Sequence, residues 1–318
     1  MFTGVTRFED NTGISTTAPW EGVGKKLDQP ESVAEAIDQA GLNWRAEKQE
    51  LFLEDGTGIS HKAVVRSDTQ DVLGVVGPRW TPYQNADAFN WFQPFIDGKE
   101  AVFSTAGCLK KGAIVWILAK LNRDNAEIVQ GDEIEKYLLL SNSHDGKLSV
   151  RVGFTPIRIV CVNTLHMAHS SARSQMVRVR HGANVQSNVN SLQDVINAAD
   201  ANFEATAEQY RFLASRQINS QDLNEYVKIV LGKEKVENAD LATRTKNQMQ
   251  DIIALVESGR GNNAPNVSGT WWAAYNGVTE WLNYNRGRNA DNRLTSLWFG
   301  PNASVNKLAF ETAVELAA

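Results

Sequence analysis

The sequence predicts an α+β protein, with an antiparallel β-sheet and packed helices in its N-terminal half and an α-helical C-terminal half. Three observations carry this. Short alternating or all-apolar stretches, separated by turn residues, crowd positions 44–154. Apolar spacing of the 3.6-residue kind dominates after Gly182. A composition of 42% hydrophobic and 22% charged residues over 318 positions supplies the core for one large domain or two ordinary ones. The expected organisation is an N-terminal arm over 1–28, a sheet domain with a basic surface over 29–185, and a helical region over 186–318.

Each element has its local reason. The arm is polar, with Phe8 and Trp20 as large apolar contacts, and is expected to be loosely held or to pack on a neighbouring subunit. Val33, Ala34, Ile37 and Ala40 share helical spacing, and Gly41 ends that helix. Trp44 to Leu53 alternates as a strand. Ala63–Ser67 and Val72–Val76 flank a polar turn as a hairpin, broken by Gly77-Pro78. Gln84 to Ile96 is helical until Pro94 kinks or ends it. Ala101–Leu109 and Ala113–Ala119 form a hairpin around Lys110-Lys-Gly112, and the second run is apolar on both faces, as a central strand is. Ile134–Ser141 and Leu148–Phe154 are two more strands. Thr155-Pro156 reads as an N-cap and first helical residue opening a buried helix through Leu165, although the β-branched run Ile157–Val162 favours a strand instead. Met176–His181 is a last short strand. Helices are expected near 189–214, 222–231, 241–257, 270–284 and 305–316, with a loop at Gly259–Pro265.

Charge is distributed unevenly. The net charge is −5, yet residues 146–193 hold six basic side chains and no acidic one, where average usage gives about five or six acids. Residues 1–145 sum to −8 and residues 194–318 to −3. An acid-free island in an anionic chain points to an anionic ligand. Alternation places Arg151 on the face opposite Leu148, Val150 and Val152, while Arg178 and Arg180 share a face of the later strand. If both strands edge one sheet, Lys147, Arg151, Arg158, Arg173, Arg178 and Arg180 line a positive surface. Arginine suits that task because its fork grips phosphate oxygens and its plane stacks on bases. Lys110 and Lys111 at the hairpin turn extend this surface, and Asn142 and His144 lie beside it. Trp80, Tyr83 and Phe103 are candidate stacking platforms, against the commoner role of aromatic residues as core. Arg286, Arg288 and Arg293 form a weaker second basic group.

Catalytic signatures are scarce. There is no phosphate-binding Gly-x-x-x-x-Gly-Lys-Ser/Thr loop and no Gly-x-Ser-x-Gly elbow. His166 and His169 are three apart but have no carboxylate or thiol partner nearby, so no metal is expected. His144-Asp145 is explained more simply as a turn ending in Asp-Gly than as an acid–base pair. Cys108 and Cys161 sit in apolar contexts that predict reduced core thiols. No run of 18 apolar residues exists, and Met1–Asn11 carries Glu9 and Asp10 without an apolar stretch, so neither a membrane span nor a secretory signal is expected.

Three segments carry a resemblance. They are Leu73-Gly-Val-Val-Gly-Pro-Arg-Trp-Thr-Pro-Tyr-Gln-Asn85; Tyr137-Leu-Leu-Leu-Ser-Asn-Ser-His-Asp-Gly146 with Val150-Arg-Val-Gly-Phe-Thr-Pro-Ile-Arg-Ile-Val-Cys-Val-Asn-Thr-Leu165; and Trp272-Ala-Ala-Tyr-Asn-Gly-Val-Thr-Glu280 with Trp298-Phe-Gly300. The chain resembles the phage- and plasmid-borne proteins of a family of unknown function, number 932 among such domains. The resemblance implies mobile-element equipment of a bacterial cytoplasm and no catalytic residue. At the level of fold alone, the order of helix, hairpins and helix is similar to ATP-independent phage annealing recombinases, which assemble as rings or filaments around single strands.

The expectation is therefore a non-enzymatic single-stranded-DNA-binding and strand-annealing protein, without cofactor or metal. It would act as a homo-oligomeric ring or filament and possibly alongside a single-strand-binding protein. The alternatives are a metal-dependent nuclease using His144 and Asp145, or an interaction protein acting on a host defence factor.

Overall fold

A computed structural model describes residues 7–9, 15–165, 176–179 and 190–318, with side chains described for 18–165 and 203–318. The architecture is α+β. Strands dominate the N-terminal half and helices the C-terminal half.

The main sheet is antiparallel. Strands β1 (Arg7–Glu9) and β2 (Ser15–Thr17) pair only with each other. Strand β3 (Gly24–Lys26) is instead the edge of the main sheet, paired with a later strand through Gly24↔Gly107. Trp20 is 1% exposed and belongs to the core, so residues 18–28 are part of the fold and not of a loose arm. Helix α1 (Val33–Ala40) begins at Ser32, whose hydroxyl accepts the Glu35 N–H. It stops at Gly41, in the left-handed region at φ 69°. Strands β4 (Ala46–Phe52), β5 (Gly58–Arg66) and β6 (Val72–Val76) form a separate three-stranded sheet. The predicted helix around Pro94 breaks into α2 (Asn85–Phe89), one 3₁₀ turn and α3 (Gln93–Asp97), with Pro94 at the start of α3.

Strands β7 (Ala101–Leu109) and β8 (Ile114–Leu121), then β9 (Ala126–Val129), β10 (Asp132–Ser143) and β11 (Val150–Arg158), complete the body of the main sheet. Short β12 (Asn163–Thr164) and β13 (Met176–Val179) both pair with β11. The helix expected from Thr155 does not form: β11 continues to Arg158, as the β-branched residues around it prefer. Pro156 is tolerated there because its carbonyl accepts from Leu165 N at 3.0 Å, so its missing N–H faces short β12 and not β10.

The sheet is covered on both faces. The register partners Phe103, Ala119, Leu138 and Phe154 form one row across it. Phe92 meets Phe103, and Phe203 of α4 (Asn190–Ser215) meets Phe154. The opposite face carries the row Gly107, Trp116, Ser141 and Arg151, where Trp298 of α8 (Ala290–Phe299) packs on Trp116 at 5.0 Å. Helices α5 (Ser220–Val230), α6 (Thr243–Ser258), α7 (Trp271–Glu280) and α9 (Pro301–Ala317) complete the helical half. All ten residues of α7 are buried, and a single hydrophobic core runs through both halves. Among the described residues no helix is long and apolar enough to cross a membrane.

Candidate nucleic-acid interface

One end of the main sheet carries several exposed cations. The β7–β8 turn carries Lys110 and Lys111, both exposed and both left-handed, at φ 51° and 60°. Such a turn is held by its neighbours. The Lys110 N–H donates to Asp291 Oδ2 of α8 at 2.6 Å, and the Lys111 carbonyl accepts from Arg66 at 3.0 Å. Arg66 is anchored in turn by two bonds to Asp68 (2.9 and 2.7 Å) and lies 4.4 Å from the Trp44 ring centroid. Hydrogen bonding to Asp68 raises the guanidinium pKa of Arg66, and its charge is thereby engaged.

The adjacent β10–β11 turn is bonded to this one through His144 N–H and the Ala113 carbonyl, at 2.8 Å. Within it the Asp145 carboxylate accepts from Ser143 Oγ (2.5 Å) and from the Lys147 N–H (3.0 Å). Gly74 packs so closely that a Cβ there would lie 2.6 Å from Asp145 Cα. The turn leaves Lys147 with a 77% exposed side chain, 3.8 Å from Asp145. Four residues on, Arg151 is half-buried, with its guanidinium 5.7 Å from the Phe299 ring. The β11–β13 register makes Arg151 and Arg178 direct partners. The two strands therefore do lie side by side, with arginine positions opposed. Only the backbone of Arg178 is described, and Arg173 and Arg180, like His166 and His169, lie outside the described residues.

Several expectations for this surface are overturned. Arg158 is fully buried and forms no part of it. Its guanidinium makes three bonds of 2.7–3.0 Å to Asp132, and bonds Asn262 Oδ1 at 3.0 Å and the Gly261 carbonyl at 3.2 Å. Burial is the largest influence and works against its charge, but Asp132 and Cys161 together leave the pKa raised. Asn142 is fully buried and donates to the Tyr83 carbonyl at 2.6 Å. His144 is also fully buried, with Nε2 2.8 Å from Asn85 Oδ1 and its ring edge-on to Trp44. Together with buried Asp145, the other residue of the nuclease alternative, it holds a turn in place. Phe103 is core, at 4% exposure. Tyr83 is half-buried and bonded on both sides, donating to the Asp87 carbonyl (3.1 Å) and accepting from Trp91 (3.0 Å). Trp80 is half-buried and packs against the core beside exposed Arg79. The surface that remains is Lys110, Lys111, Lys147 and the Arg151–Arg178 pair.

Sequence reasoning missed α8, and with it the parts that Asp291 and Phe299 play in holding the lysine turn and Arg151. The signals were present: Asn289 caps the helix by accepting Asn292 N–H at 2.8 Å, and Gly300-Pro301 separates it from α9.

A family profile described as "Domain of unknown function (DUF932)" matches residues 72–298. No curated protein and no solved structure matches the chain.

Proposed function

We propose, for a chain that belongs to the DUF932 family, that it binds single-stranded DNA along this rim of the main sheet and anneals complementary strands without nucleotide hydrolysis. One observation carries the reading: the Arg151↔Arg178 register inside an acid-free stretch of 48 residues. Two arginine positions side by side on neighbouring strands suit the bidentate grip of phosphate oxygens. Exposed Lys110, Lys111 and Lys147 at the same end of the sheet supply further backbone neutralisation. Base pairing of the product drives annealing, so no cofactor enters. A net charge of −5 per chain repels DNA at long range, which favours a homo-oligomer that aligns the rims of its subunits into one groove.

The test is a salt titration of binding to a fluorescent oligonucleotide, followed by annealing of complementary strands without ATP. Binding is expected to fall steeply with salt, by about 0.7 log units per log unit of salt for each phosphate neutralised. Arg151→Gln with Arg178→Gln is expected to weaken binding at least tenfold and leave the melting temperature nearly unchanged. Full affinity in that variant would place the strand elsewhere.

A further inference from the structure

A second group of arginines surrounds the exit of α7. That helix runs into a π-helical turn, Trp281–Asn285, a distortion that recurs at functional sites. The chain leaves the turn at Arg286, whose N–H donates to the Trp281 carbonyl at 2.8 Å and whose guanidinium lies 5.1 Å from the Trp281 ring. Gly287, at φ 150°, folds the next loop onto α8 so tightly that a Cβ there would lie 2.9 Å from Arg293 Cβ. Arg293 Nε donates to the Asn283 carbonyl at 2.9 Å. Arg288 is exposed in the loop, and Arg244 is exposed in the first turn of α6.

The acids nearby are engaged. Glu280 accepts the Arg260 N–H at 2.9 Å and sits 3.6 Å from that residue's guanidinium, which stacks on Tyr284 at 4.1 Å. Asp291 is turned to Lys110. Among the described residues, Arg244, Arg286, Arg288 and Arg293 make no ion pair. Burial lowers the pKa of Arg286, and the positive charge of Arg244 lowers it further; burial lowers that of Arg293 as well. Two half-buried guanidinium groups, one pressed by a third cation, hold repulsion that a multivalent anion removes. Their orientation is set by a ring face and a backbone carbonyl before any ligand arrives, so little rotamer freedom is lost on binding.

We propose that Arg244, Arg286, Arg288 and Arg293 form an anion site for phosphate groups, carried either by a free polyphosphate or by a nucleic-acid backbone. The site belongs to the helical half and does not depend on the sheet rim. The bond between Lys110 and Asp291 ties the lysine turn to the first turn of α8, the helix that carries Arg293.

The test uses the full chain and the variant Arg244→Gln/Arg288→Gln, which alters exposed side chains only. Melting is followed in sodium tripolyphosphate against sodium chloride of equal ionic strength. The wild type is expected to melt several degrees higher in tripolyphosphate, and the variant to lose most of that gain while melting normally without it. No gain in the wild type, or an equal gain in the variant, overturns the site. An oligonucleotide salt titration then identifies the source of the phosphate. A salt slope shallower by about 1.4 in the variant assigns the site to the strand, because two phosphates then go without a cation. An unchanged slope, with the tripolyphosphate gain still lost in the variant, assigns it to free polyphosphate. A wild type that gains from tripolyphosphate but ignores DNA defeats the rim reading and leaves this site standing.

Discussion

The two ends of β11 carry one arginine each, and the fold treats them in opposite ways. Seven positions of unbroken pleat put Arg151 and Arg158 on opposite faces. Arg158 lies under the helical half, where Asp132, Asn262 and the Gly261 carbonyl satisfy its fork and Trp272 donates to the same Asp132 carboxylate at 2.8 Å. Arg151 sits near the rim, under the end of α8, opposed to another arginine. Both belong to the same acid-free stretch. The difference teaches that charge counted along the chain does not report charge in space, because Asp132 enters from 26 residues upstream, on the neighbouring strand β10, and pairs with Arg158.

The comparison can be broken most forcefully at the inner end. Asp132→Asn leaves the Arg158 charge buried without its counter-ion and is expected to cost about 3–5 kcal/mol of stability in denaturant unfolding. A loss no larger than that from Arg151→Gln would erase the distinction between the two ends. The rim offers a middle-sized test. Gly74→Ala drives a methyl group against the backbone of the Asp145 turn, and about 1–3 kcal/mol is expected. DNA affinity should fall with it, since that turn presents Lys147; unaltered stability would mean the turn yields freely. The smallest effect concerns Glu280, near the Arg158 pocket. Burial raises its pKa above the ordinary value of 4.5 despite the Arg260 N–H bond and the charges of Arg260 and Arg158. The folded state therefore holds this proton more tightly than the unfolded chain. The contribution is full below pH 4.5 and is lost as pH rises through the raised value. Glu280→Gln should flatten the stability profile between about pH 4 and 7, by under about 1 kcal/mol after solvent screening. Parallel profiles for the two proteins would remove Glu280 from the account.

Much of the fold was readable because its signals are local. The α1 stop at Gly41, the Lys110-Lys-Gly112 hairpin and the doubly apolar β8 each follow from residues within one element. The continuation of β11 past Thr155 was harder, because Thr-Pro is also a helix opening and only pairing with β10 decides between them. Helix α8 was missed because its large apolar residues, Leu294, Leu297, Trp298 and Phe299, crowd its second half, and its first turn is polar. The candidate surface was readable in outline only. Lys110, Lys111, Lys147 and the Arg151–Arg178 alignment follow from hairpin logic and alternation. The fates of Arg158, Asn142, His144 and Phe103 depend on neighbours 11 to more than 100 residues away, as in Phe92–Phe103 and Arg158–Asn262, and no single short window along the chain contains them all.

Helix α7 has no outward side. Asn163 and Thr164 of β12 bond to Thr279 and Asn283 at and just beyond its end, while Tyr275 bonds Asn306 of α9. Any replacement within Trp271–Glu280 is thus felt at once by strands beneath and helices above. Exchanging either half of the chain alone would leave the bonds of Asn163 and Thr164 without their partners, which ties the two sequences together at this helix.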